Sequence, residues 1–131
     1  MKDRAKTFPF TPNYNSLTEV MTDHELAALG DAYVNFVYSL ALSNRKGKPT
    51  GAKAKGTTLA QALRKAGLRE HLPSRMNSHT LADAAEALLA YAWLHNEITL
   101  KESVATLNKN EDIVEGLAQL LLTAKNRIKL S

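Results

Sequence analysis

Asp83 and Glu86 stand three residues apart in a stretch, residues 79–95, that is otherwise almost entirely Ala, Leu and aromatic. Such a composition forms helix readily, and an i, i+3 spacing puts both carboxylates on one side of it. The stretch is apolar on nearly every face, as expected of a buried central helix. A carboxylate buried without a partner costs several kcal/mol, by the order of magnitude known for ions in protein interiors. Something positive must therefore face Asp83 and Glu86, either an Arg or Lys or a metal ion. A second apolar stretch repeats the pattern, with Asp31 interrupting residues 26–42 and Asn35 one turn further on the same face. If the two helices pack together, Asp31, Asp83 and Glu86 meet.

Hard oxygen ligands on a rigid wall suit magnesium or manganese, which bind through a few carboxylates and keep waters that a phosphate can replace. Such an ion activates water and offsets charge on a reacting phosphate. The alternative is a set of structural ion pairs with Arg45, Arg64 or Arg75, and composition does not choose between the two. The chain has no cysteine, which removes disulfides, thiolate zinc and cysteine nucleophiles. His24, His71, His79 and His95 lack metal-ligand spacing, although His79, one turn before Asp83, would border the acids.

The elements that must position these groups read as follows. The chain of 131 residues, 44% hydrophobic and 23% charged, suits one domain with one core. It has no run of about 18 apolar residues and no apolar signal core, which argues against a membrane span and secretion and for a cytoplasmic protein. A net charge of +4 permits a nucleic-acid partner without demonstrating one. Residues 1–15, with Pro9 and Pro12 among Phe8, Phe10 and Tyr14, read as an extended arm strapped over the core.

Capping boxes at Ser16–Glu19 and Thr22–Glu25 open two helices, the second over about residues 23–43. Gly30 in mid-helix costs roughly 1 kcal/mol against Ala, and its lack of a side chain allows another backbone to approach closely. Residues 43–57 form a loop with Arg45, Lys46, Lys48, Lys53 and Lys55, three glycines and no acid. It is either a solvated flexible loop or a phosphate-contacting one. A box at Thr58–Gln61 and Gly67 bound a third helix at about 58–66. Arg64 and Lys65 suit its C-terminal dipole. Thr99–Glu102 caps a short helix to about Leu107. Asn110 opens the last, with Leu117, Leu120, Leu121 and Ala124 at helical spacing and Lys125, Arg127 and Lys129 at its end. Strand-like alternation is absent, so the fold is expected to be all-α.

The strings Leu26-Ala-Ala-Leu-Gly-Asp-Ala32 and Leu81-Ala-Asp-Ala-Ala-Glu-Ala-Leu88 resemble the two acidic motifs of the ribonuclease III family, in the family's order and separation. The resemblance spans roughly residues 16–128. It implies an all-helical endonuclease-domain bundle that acts as a homodimer on double-stranded RNA with magnesium or manganese. Carried over, the metal-binding acids are Asp31, Asp83 and Glu86. Most of the family has a further Glu one turn before the signature Asp, where this chain has Ala27. The short Mini-ribonuclease III-like class also has a small residue there. On this reading residues 1–131 are a single endonuclease domain without the family's RNA-binding domain. Affinity for RNA then falls to the basic loop, and A-form RNA is read mainly by shape and 2′-hydroxyls. The expectation is a metal-dependent endoribonuclease. The rival is an RNA-binding dimer that kept the fold without catalysis. An all-α nucleotide pyrophosphohydrolase ranks last, because its Glu-x-x-Glu pairs are missing.

Overall fold

A computed structural model describes residues 8–130. Among them are six α-helices and no strand: α1 Leu17–Met21, α2 His24–Lys46, α3 Gly56–Lys65, α4 Ser78–Leu94, α5 Leu100–Lys109 and α6 Ile113–Arg127, with a 3₁₀ turn at Arg69–His71 between α3 and α4. The all-α expectation holds. Residues 1–7 of the expected arm lie outside the described residues.

α4 is the axis of the bundle, packed against α1, α2, α3 and α6. Leu81, Ala84, Ala85, Leu88, Leu89 and Ala92 are all fully buried. Small Ala side chains between the leucines let four helices close on one. The broadest contact is with α2, where Gly30 lies against the backbone of Glu86. That close approach is what a mid-helix glycine allows.

Several boundaries differ from expectation. α2 is capped by Asp23, whose carboxylate accepts from the Glu25 and Leu26 amides, and it runs on to Lys46, where Gly47 closes it at φ 72°. Glycine adopts that left-handed conformation without a Cβ penalty. α3 starts at Gly56 with no side-chain cap, so the Thr58 box does not form. α6 is capped by Asp112, while Asn110 instead ends α5. The Ser16 and Thr99 boxes form as expected.

α2 is also not buried all round. Leu26, Ala27, Gly30, Val34, Val37 and Ala41 face the core, but Phe36 is 54% exposed and Leu29 39%. By length and apolarity alone α2 could cross a bilayer; here its inner face packs on α4 and α5.

Residues 8–15 do strap the core. Phe8 stacks on Phe10 and leans on Trp93. The Tyr14 amide donates to the Tyr91 hydroxyl at 3.0 Å, and His95 Nε2 meets the Pro12 carbonyl at 2.7 Å. The Tyr14 hydroxyl donates to Asp23, the cap of α2. That bond, with burial, pushes the Tyr14 phenol up to about 12. Burial opposes ionisation of Asp23, but the Tyr14 hydroxyl and the Leu26 and Glu25 amides together hold its carboxyl below the usual range.

Candidate active site

Asp31 follows Gly30 on α2, and Glu86 is the residue whose backbone Gly30 touches. The close helix contact therefore carries the two carboxyls to each other. Asp83, one turn earlier on α4, joins them in a pocket of about 420 Å³ whose wall also includes Ala27, Lys53, Gly56 and His79. Glu86 is deepest, at 7% exposed. Its carboxyl is pushed up to about 8, first by burial, then by its hydrogen bond with Asp31 and the charges of Asp31 and Asp83. Lys53 pulls the other way. Asp83 sits at the rim, 27% exposed at its side chain, with His79 Nε2 3.6 Å from Oδ2.

The arginine alternative fails on this geometry. Among the described residues, the Lys and Arg ion pairs are Lys65–Glu115 and Arg127–Glu102, neither of which involves these acids. Arg45 lies elsewhere, donating to the carbonyls of Leu107 and Asn110 at the end of α5. Three clustered acids thus face one nearby lysine and a histidine. Among the described residues no group of three acidic or histidine side chains stands ready-formed as a metal cage. Asp31 and Glu86 instead share a hydrogen bond. The donor set nonetheless fits a hard divalent cation: three carboxyls line one pocket, and Glu86 is raised first by burial and then by the neighbouring acids, a repulsion that a cation would relieve.

A profile of the ribonuclease III family, described as Ribonuclease III, matches residues 24–129. The chain belongs to the ribonuclease III family. No curated relative matches it. Membership points to RNA endonuclease activity, and the matched span contains every acid of the pocket.

The basic loop of this ribonuclease III-family chain divides by position. Lys53 alone among the expected RNA contacts lines the acidic pocket. Arg45 and Lys46 fall in the last turn of α2, and Lys55 is the N-cap residue of α3. Lys48 is exposed beyond Gly47. Arg45 lies away from the acidic pocket, and its guanidinium donates to the Leu107 and Asn110 carbonyls at the α5 terminus, tying α2 to α5. The loop is not loosely solvated. Asn35 Oδ1 accepts from the Ala54 amide at 2.8 Å, and its Nδ2 donates to Asp31 Oδ1 at 3.3 Å. Asn35 was legible as a neighbour of Asp31; its grip on the loop was not.

Proposed function

We propose that the chain is a divalent-cation-dependent endoribonuclease that hydrolyses phosphodiesters in double-stranded or structured RNA as a homodimer. The observation that carries this reading is the gathering of Asp31, Asp83 and Glu86 in one pocket of a ribonuclease III fold.

Asp31, Asp83 and Glu86 would hold magnesium or manganese, which when bound supplies Lewis acidity toward the phosphodiester and offsets the charge gained in hydrolysis. Glu86, pushed up to about 8 first by burial, would have to give up its proton to serve as a ligand, so cation binding would release a proton there. Lys53 brings a positive charge to the same pocket for a phosphate oxygen. Gly56, first residue of the uncapped α3, lies on the same wall and lets an RNA backbone come close. Lys55 precedes Gly56 of the pocket wall, while Lys46 and Lys48 lie beyond it at the far end of α2; together they add positive charge outside the pocket, which favours phosphate contact over base readout.

Leu29, Ala32, Tyr33 and Phe36 follow i, i+3, i+4, i+7 on the outer face of α2. With Trp93 and Leu100 they line an apolar groove of about 440 Å³. A second copy of the chain covering this face accounts for aromatic side chains left in solvent.

Incubation with duplex RNA and magnesium or manganese should give discrete fragments. Asp31→Asn and Asp83→Asn should each abolish cleavage while leaving the fold intact by circular dichroism. Cleavage by either variant at the wild-type rate would overturn the site assignment. Ala27 in the pocket wall, with no acid there, favours the second reading, a non-catalytic RNA-binding dimer. Duplex binding without cleavage under both ions would support it.

A further inference from the structure

Residues 50–54 run back along α2 in register with it. Ser43 Oγ accepts from the Thr50 amide at 2.8 Å. Ser39 Oγ accepts from the Ala52 amide at 2.9 Å and donates to the Ala52 carbonyl at 3.0 Å. Asn35 accepts from the Ala54 amide at 2.8 Å. The helix residues are spaced by four and the loop residues by two, in opposite directions. The spacings match, since four helical residues rise about 6.0 Å and two extended residues about 6.6 Å. Thr50, Ala52 and Ala54 turn towards α2 and are half-buried, whereas Gly51, Lys53 and Lys55 between them are exposed. A segment carrying several lysines and no acid would otherwise repel itself into solvent. Lys53, between two clamped alanines, is the lysine that lines the acidic pocket.

We propose that Asn35, Ser39 and Ser43 form a positioning track that fixes the basic loop against α2 and thereby holds Lys53 at the acidic pocket. Asn35 ends the track by bonding Asp31, so the loop and the acids are set by one side chain. These are positioning residues, and none of them is needed to touch RNA. The inference rests on the nuclease reading of the pocket.

Ser39 provides the test, because it contacts the loop without touching Asp31, whereas Asn35 does both. Amide hydrogen exchange and single-turnover cleavage of saturating duplex RNA with magnesium are measured on wild type, Ser39→Ala, Ser39→Thr, Lys53→Met and Ser39→Ala/Lys53→Met. In wild type the Ala52 and Ala54 amides should be protected. Ser39→Ala should release them and slow cleavage about tenfold, the scale expected when a reacting group is misplaced. Ser39→Thr, which keeps the hydroxyl, should restore both. Lys53→Met should cost little further in the Ser39→Ala background. An unprotected Ala52 amide in wild type, an unchanged rate in Ser39→Ala, or losses that multiply in the double variant would overturn the track as a positioning device. A wild-type chain that leaves duplex RNA intact overturns the nuclease reading and this inference together, whereas cleavage with multiplying losses overturns this inference alone.

Discussion

Gly30 and Glu86 meet through their backbones: a Cβ built on Gly30 would stand 1.9 Å from the Glu86 carbonyl oxygen and 2.4 Å from its carbonyl carbon. The neighbour is main chain within a helix, so no rotamer change relieves the clash. Two effects oppose each other in Gly30→Ala. Helix propensity favours Ala by about 1 kcal/mol, while forcing extra volume into a packed contact costs about 1–3 kcal/mol or more. The second should win, because α2 and α4 must separate. The urea midpoint should fall, and cleavage should fall further than stability, since Asp31 and Glu86 part with the helices. A raised midpoint would show that the helix contact is looser than described.

Glu86 makes a pH-dependent contribution whose sign is fixed by its direction of shift. Its carboxyl is raised from 4.5 to about 8 by burial, the Asp31 hydrogen bond and neighbouring acids. The folded chain therefore keeps a proton that the unfolded chain has lost across that window. Its stabilising contribution is present below about 4.5 and is lost as pH rises to about 8. Without divalent ions, the urea midpoint should drop between pH 5.5 and 8.5. Glu86→Gln should flatten that slope, and added manganese should restore stability more at the higher pH, where no proton competes. A cation-free midpoint that rises with pH would contradict the assignment.

Arg45 and Lys53 should separate folding from RNA contact. Arg45→Met removes two hydrogen bonds to carbonyls at the end of α5; a charged donor makes such a bond worth at most about 1.5–3 kcal/mol, and less where it is exposed. It should lower the melting temperature and leave RNA affinity nearly intact. Lys53→Met should do the reverse, weakening phosphate-dependent binding and reducing its salt dependence by about one ion. Fluorescence anisotropy with duplex RNA at several salt concentrations, beside thermal melts, reads both. Equal RNA-affinity losses would make Arg45 an RNA contact alongside Lys53.

The bundle was legible because its signals are local and agree with one another. Ser16 and Thr99 cap where their boxes stand, and the Ala/Leu run around Asp83 and Glu86 becomes the buried axis. Gly30 marked the close helix approach that gathers the acids. Tertiary packing decided what was missed. α3 begins two residues before its box, where Gly56 comes within Cβ reach of Ala82. Gly47 is a readable stop for α2, although the run of small, polar and basic residues from Ser43 reads as loop. The Asn35, Ser39 and Ser43 stripe is visible on an otherwise apolar helix, but its partners are backbone amides, which sequence does not display. The outer apolar face of α2 reads as core until the fold leaves it uncovered.

On the proposed function, Asp31, Asp83 and Glu86 share a divalent cation. An anomalous difference map from crystals soaked in manganese above pH 8 should show a peak in the pocket, contacted by carboxylate oxygens of these three residues, and no peak there in Asp31→Asn crystals. Manganese-dependent RNA cleavage by crystals whose only ordered ion lies away from these three side chains would contradict that reading.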